Sequence, residues 1–261
     1  MNLPIYWVDA FTDRVFGGNP AAVVPLDSWL DDALLQRIAN ENGLSETAYF
    51  VRTGPARAEL RWFTPSVEVD LCGHATLATA HVLINELGQA ELPVVFDTKS
   101  GPLSVFRRGS LIELDFPSRP ASPAEAPAAL LRGMGLMPEQ VLRSERMWLC
   151  VYATADEVKA LAPDFAALGT VSPGRFIPTA PGVDCDFVSR FFAPDAGIEE
   201  DPVTGSAHST LVPYWAGRLG TTKLHARQVS RRGGELWCEL AGDRVRMAGH
   251  GAAYLKGRIE V

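Results

Sequence analysis

The chain has 261 residues, 47% of them hydrophobic and 21% charged, which is the composition of an ordinary globular protein. The formal net charge is −7, and no basic run alternates with aromatic residues, so nucleic acid is not an expected partner. No stretch approaches the roughly 20 apolar residues of a membrane span, and residues 1–8 lack the pattern of a secretory signal. We therefore predict a cytoplasmic protein that does not cross a membrane.

Short strands predominate in the first half of the chain. They are recognised by runs of β-branched and aromatic residues that are bounded by glycine, proline and asparagine. The predicted strands cover residues 5–11, 21–24, 47–51, 60–63, 94–96, 103–107 and 111–116.

Two helices interrupt these strands. Ser28 and Asp31 predict the start of the first helix, which continues at helical spacing to about Glu41 and ends at Gly43. The second covers residues 74–87. It has small and apolar residues on every side, which predicts a helix surrounded by sheet rather than one lying on a surface.

A proline-rich linker divides the chain near its middle. Residues 117–127 contain four prolines, a density that neither a helix nor a central strand tolerates. The second half again predicts short strands and one apolar helix, over residues 206–215. Residues 253–261 predict a final pair of strands.

The two halves share a sequence pattern. Residues 61–65 (RWFTP) recur as residues 190–194 (RFFAP), and each copy leads through acidic residues to a glycine that opens an apolar helix, Gly73 or Gly205. This order predicts a duplicated fold with a site where the halves meet. Two helix starts facing one cleft would offer their backbone N–H groups to an anionic ligand.

Two side chains in the first half suit proton transfer. Glu46 lies at the turn from the first helix into a strand, where a carboxyl group is partly removed from water. His74 follows Gly73 at a helix start, where it could donate a proton or simply cap and pack. From its position alone, the simpler interpretation of Glu46 is a hydrated carboxylate at a strand edge.

The acidic loop before the second helix start is the strongest feature of the second half. Residues 199–201 are all acidic, and they could merely complement the positive end of the helix dipole. However, Pro202 restricts the backbone of Asp201 and so fixes its direction. Ser206 could offer both its hydroxyl and its backbone N–H to a carboxylate.

The cysteines and histidines do not predict a metal site. No pair of cysteines stands at zinc-ligand spacing, and free thiols are expected in a reducing compartment. Cys72 directly precedes Gly73 and could act as an acid or base, although packing is the simpler interpretation. Neither nucleotide-binding glycine motif occurs.

Taken together, four segments resemble the PhzF family, the phenazine-biosynthesis isomerase and its relatives. The resemblance spans nearly the whole chain, and the order of the segments makes it specific. The segments are residues 16–23 (FGGNPAAV), 42–48 (NGLSETA), 61–76 (RWFTP to CGHAT) and 200–207 (EDPVTGSA).

The resemblance implies an α+β fold of the diaminopimelate epimerase type. In that fold two pseudo-symmetric lobes each form a curled mixed sheet around a central helix. The implied lobes here are residues 1–117, joined by the C-terminal strand at about 248–261, and residues 118–247. Members of the family are commonly homodimers, so a homodimer is expected.

The resemblance also implies a cofactor-free acid/base isomerase that acts on a small carboxylate-bearing molecule. The proton-transferring glutamate corresponds to Glu46, and the other catalytic residues correspond to His74 and Asp201. The substrate-binding residues correspond to Gly73, Gly205 and Ser206. No cofactor and no metal are implied.

Two alternatives remain open. The related amino-acid epimerases use a pair of cysteines, of which only Cys72 has a counterpart here, because residues 201–207 contain none. A racemase would therefore have to combine Cys72 with a carboxylate. The other alternative is a non-catalytic protein that binds a small molecule.

Overall fold

The computed structural model describes residues 1–88 and 92–261. These residues divide into two units: the first comprises Met1–Asp115 with Ala248–Val261, and the second comprises Phe116–Met247. In the described part of the chain, every helix is too short or too polar to cross a lipid bilayer.

The first unit is built mainly of strands that enclose one helix. Its strands are β1 (Asn2–Ala10), β2 (Asn19–Leu26), β3 (Glu46–Gly54), β4 (Arg57–Phe63), β5 (Glu68–Val69), β6 (Val94–Thr98), β7 (Gly101–Arg108) and the first part of β8 (Leu111–Pro117). Its helices are α1 (Asp32–Asn42) and α2 (Gly73–His81), and α2 continues as a π-helical turn, Val82–Glu86.

The pairing of these strands is mixed. β1 and β2 are antiparallel, β2 and β3 parallel, β3 and β4 antiparallel, β4 and β6 parallel, and β6 and β7 antiparallel. Each parallel pair is joined by a crossover that contains a helix, α1 in the first case and α2 in the second. This is the connection that parallel neighbours require.

Helix α2 is the centre of the first unit. Every side chain from His74 to His81 is buried, and the helix packs on β1, β2 and β3. The small residues predicted for this helix allow that close approach. The helix has no polar face because strands of the sheet cover it, as was predicted from its sequence.

The second unit repeats this construction. Its strands are the rest of β8, β9 (Ser122–Pro123), β10 (Gln140–Arg143), β11 (Trp148–Val151), β12 (Phe176–Pro181), β13 (Phe187–Ser189), β14 (Lys223–Gln228), β15 (Gly234–Ala241) and most of β16 (Arg244–Gly249). Its helices are α3 (Ala128–Met134), α4 (Ala155–Ala160), α5 (Phe165–Leu168) and α6 (Gly205–Leu219), with a 3-10 turn at Pro194–Ala196. The chain then ends in β17 (Gly251–Glu260), which belongs to the first unit.

The order of pairings is the same in both units. β10 and β11 are antiparallel, β11 and β12 parallel, β12 and β13 antiparallel, β13 and β14 parallel, and β14 and β15 antiparallel. Helix α6 connects β13 to β14, as α2 connects β4 to β6. The predicted fold, two similar halves that each combine a mixed sheet with one buried helix, is confirmed.

Two local predictions were wrong. The C-terminal residues form one long strand, β17, that pairs antiparallel with β1, not a pair of strands. Helix α1 is capped by Asp31, whose carboxylate accepts a hydrogen bond from the backbone N–H of Ala33, and not by Ser28. The predicted end of α1 is confirmed, since Gly43 adopts φ 62°, a conformation that favours glycine.

Candidate active site

Glu46 and His74 lie together in the first unit. Glu46 is the first residue of β3, and His74 is the second residue of α2. Nε2 of His74 is 3.0 Å from Oε2 of Glu46, and their side chains are only 6% and 13% exposed. The strand start and the helix start thus bring a carboxylate and an imidazole into contact in a nearly water-free environment.

Cys72 completes this group from the residue before the helix. Its Sγ lies 3.5 Å from Nδ1 of His74, the ring nitrogen that does not face Glu46. Cys72 is extended and makes no side-chain cap to α2. The first backbone N–H groups of a helix have no hydrogen-bond partner within the helix. The N–H groups of Gly73 and His74 can therefore donate hydrogen bonds to a bound anion.

Burial and charge act in opposite directions on His74. Burial opposes a charge on the ring, but contact with Cys72 and Glu46 raises the pKa of His74 well above its usual value. Burial raises the pKa of the Cys72 thiol to about 11, and the nearby Glu46 adds to this. Since the sulfur is then protonated at neutral pH, the Glu46 carboxylate is the partner that favours a cationic His74.

The same three side chains could also hold a metal ion. One ligand atom each from Glu46, Cys72 and His74 lies within 4.8 Å of the others. Carboxylate, thiolate and imidazole are ligands that Zn²⁺ accepts. Spacing along the sequence did not predict this group, because Glu46 reaches the helix start only through the fold.

Asn19 is a site residue that the sequence analysis missed. It is fully buried at the start of β2, and its Nδ2 lies 3.2 Å from Nδ1 of His74. The preceding Gly18 has φ 59°, and a Cβ atom there would lie 2.1 Å from the carbonyl oxygen of Ala10. Only glycine fits this turn, which sets the position of Asn19. The paired glycines directly before Asn19, Gly17 and Gly18, are the signal in the sequence for such a turn.

The second unit contains the other three predicted residues, Asp201, Gly205 and Ser206. The loop before α6 is held by Gln228 at the end of β14. Its Nε2 donates to the carbonyl of Asp201 (2.7 Å), and its Oε1 accepts from the backbone N–H of Thr204 (2.8 Å). The hydroxyl of Thr204 donates to Oδ2 of Asp201. Asp201 is therefore held by Thr204 and Gln228.

The start of α6 resembles the start of α2 in its hydrogen bonds. Nδ1 of His208 lies 2.9 Å from the carbonyl of Thr204, just as Oγ1 of Thr76 donates to the carbonyl of Cys72. Burial lowers the pKa of His208 to about 4. His208 is therefore neutral at physiological pH and is part of the helix start rather than a proton carrier.

The repeated arginines explain why the sequence pattern recurs. Nε and Nη2 of Arg61 each donate to one carboxylate oxygen of Glu68, at 2.7 and 2.9 Å. Arg190 binds Glu200 in the same manner, at 2.6 and 2.9 Å. Their guanidinium carbons lie about 5 Å from an aromatic ring, Phe63 or Phe192 (5.1 and 4.9 Å). In each unit, an arginine–glutamate pair thus holds the segment that precedes the buried helix.

Comparison with known proteins agrees with this architecture. The family model for phenazine biosynthesis-like proteins matches residues 8–257. A protein of Pseudomonas aeruginosa that is named as an uncharacterised isomerase is 51% identical over 262 residues, with both chains fully covered. The crystal structure of a PhzF-family protein from Enterococcus faecalis is 45% identical, with a TM-score of 0.97 over all of both chains.

A more distant structure extends the likeness in fold. A predicted epimerase of Pseudomonas aeruginosa shares 22% identity and a TM-score of 0.73 over 99% of each chain. The protein is thus an isomerase with an epimerase-like fold. The chain belongs to the PhzF family of phenazine biosynthesis-like proteins.

Proposed function

We propose that the protein is a cofactor-independent isomerase that moves a proton within a small carboxylate-bearing molecule, with Glu46 as the acid and base. The observation that carries this proposal is the buried contact between Glu46 and His74 at the start of α2, with 3.0 Å between Oε2 and Nε2. A carboxylate that is largely removed from water and lies beside an imidazole is suited to taking and returning a proton.

The proposed reaction conserves atoms and charge. The Glu46 carboxylate forms an O–H bond as a C–H bond of the substrate breaks, and the electron pair passes into the adjacent unsaturated system. The carboxyl group then returns the proton to a different carbon. A carboxylate on the substrate would bind the backbone N–H groups at Gly73, because a helix start favours negative charge.

The residues of the second unit have proposed roles in binding. Asp201 is held by Thr204 and Gln228, so it can orient a substrate at little cost in side-chain entropy. Gly205 and the half-buried Ser206 begin α6 and offer N–H groups and a hydroxyl. That these groups act on the same substrate as Glu46 stays a prediction, as do the homodimer and the cytoplasmic location.

A screen of small carboxylic acids in D₂O tests the proposal. A substrate should stabilise the protein against heat and should emerge as an isomer that carries deuterium from solvent. A compound that binds and stabilises without gaining deuterium over long incubation would instead indicate a binding protein. Glu46→Gln should retain thermal stability and lose the incorporation of deuterium.

A further inference from the structure

The first unit contains a cavity that lies apart from the candidate active site. Its volume is about 590 Å³, which is within the usual range for small-molecule sites. It lies where the start of β1, the end of β2 and the middle of β3 meet the end of β17 and Leu87. Helix α2 begins at the candidate active site, and Leu87 follows its π-helical extension. At about 1.5 Å per residue, the length from Gly73 to Leu87 puts about 20 Å between the two places.

Most of the lining of this cavity is apolar. Leu3, Leu26 and Phe50 are buried in the first unit and still border the cavity. Such a lining favours a ligand with an apolar body, because binding removes apolar surface of both partners from water. The apolar lining residues are Leu3, Pro4, Pro25, Leu26, Phe50 and Leu87.

The polar part of the lining has more positive than negative charge. It comprises two arginines, one aspartate and one asparagine: Arg52, Arg258, Asp27 and Asn2. Arg258 is held in place by Asn2, since its Nε donates to Oδ1 and its Nη2 to the carbonyl oxygen (2.9 Å). These contacts use two of its five N–H donors. The cavity therefore favours an anion over a cation.

Arg52 is the cation best suited to bind that anion. Its side chain is exposed, and its guanidinium makes no hydrogen bond or ion pair with any residue that the structure describes. By contrast, Arg57 and Arg61 on the neighbouring strand β4 each bind a carboxylate. A guanidinium can bind the two oxygens of a carboxylate with paired hydrogen bonds. Arg52 thus places an unused anion-binding group beside an apolar lining.

We propose that this cavity binds a small organic anion with an apolar body, namely a carboxylate that carries an alkyl chain or an aromatic ring. The carboxylate contacts Arg52, and the apolar body lies against the lining from β1, β2 and β3. The positive charge selects the anion, and the lining selects its apolar body. This site is separate from the one proposed for catalysis and does not depend on the role of Glu46.

Calorimetric titration with octanoate tests the proposal. Octanol has the same chain without the charge and should bind about tenfold more weakly, because it loses the hydrogen bonds to a charged group. Butanoate has the same charge on a shorter chain and should also bind more weakly, by up to about fourfold for each methylene removed. Absence of octanoate binding at millimolar concentration, or equal affinity for octanoate and either analogue, would overturn the proposal.

A pair of charge reversals assigns the binding to this cavity. Arg52→Glu should weaken octanoate binding by more than about tenfold. Arg37→Glu is the matched control, because Arg37 is exposed on α1 of the same unit and does not line the cavity. It should bind octanoate like the wild type. Unchanged affinity in Arg52→Glu would mean that octanoate binds elsewhere, including the candidate active site, and would overturn the proposal, as would equal weakening in both variants.

Thermal unfolding of both variants checks that they are folded. Both side chains are exposed, so neither reversal should disturb the core. Turnover is not measured in any of these titrations. Failure of this inference is therefore distinct from failure of Glu46 as the catalytic base, which Glu46→Gln tests.

Discussion

The carboxylate of Glu46 lies 3.0 Å from the imidazole of His74, at the point where the buried helix of the first unit begins. The contact joins the first residue of a strand to the second residue of a helix. It pairs the proposed base with an imidazole while both side chains are largely shielded from water.

Cys72→Ala should leave most of the turnover intact, with a loss of less than about tenfold. Burial raises the pKa of the thiol to about 11, so the thiol is protonated at neutral pH. In the second unit the residue that directly precedes the helix glycine is Thr204, which has a hydroxyl and no thiol. Steady-state kinetics would decide the question. Near-complete loss of activity would favour a racemase that uses Cys72. Cys150→Ala, at a buried cysteine of β11, controls for lost packing.

Removal of metal ions should not lower turnover, because the proposed proton transfer uses only protein groups. Dialysis against a chelator, followed by an assay, tests this. Added Zn²⁺ should inhibit, because Glu46, Cys72 and His74 can converge on one ion and would then be unable to transfer protons. Activity that disappears with the chelator and returns with a metal would contradict the proposal.

His208 should make the protein sensitive to acid. Its folded-state pKa of about 4 lies below the usual 6.5, so the unfolded state takes up a proton first as pH falls. The free energy of unfolding should therefore decrease between pH 6.5 and 4, by about 3 kcal/mol from this group. Urea titrations at several pH values should show a smaller decrease in His208→Gln. Ser209→Ala, in the same helix, should keep the wild-type pH dependence.

Arg190→Lys should destabilise the protein by about 1–2 kcal/mol, because lysine cannot make the paired hydrogen bonds to Glu200. Turnover should fall as well, since the loop that ends in Asp201 loses its support. Arg143→Lys is the matched control: Arg143 also lies over an aromatic ring, that of Trp148, at 5.2 Å. Equal thermal shifts in the two variants would argue against the role of the Arg190–Glu200 pair.

The local features of the site could be predicted from the sequence. The position of Glu46 at the start of a strand and of a glycine at the start of each buried helix could be predicted. Such positions depend mainly on neighbouring residues in the sequence. The contact between Asn19 and His74 could not be predicted in this way. It depends on how β2 packs against α2, and the sequence near Asn19 indicates only a turn. The strand that β17 pairs with could not be predicted from local sequence either, because β1 and β17 lie at opposite ends of the chain.

The most direct test of the central claim compares the wild type with Glu46→Gln in D₂O, using a substrate found by the screen. Mass spectrometry of the product measures the deuterium bound to carbon. The account predicts deuterated isomer from the wild type and neither isomer nor label from the folded Gln variant. Isomer formed at the normal rate by Glu46→Gln would contradict it.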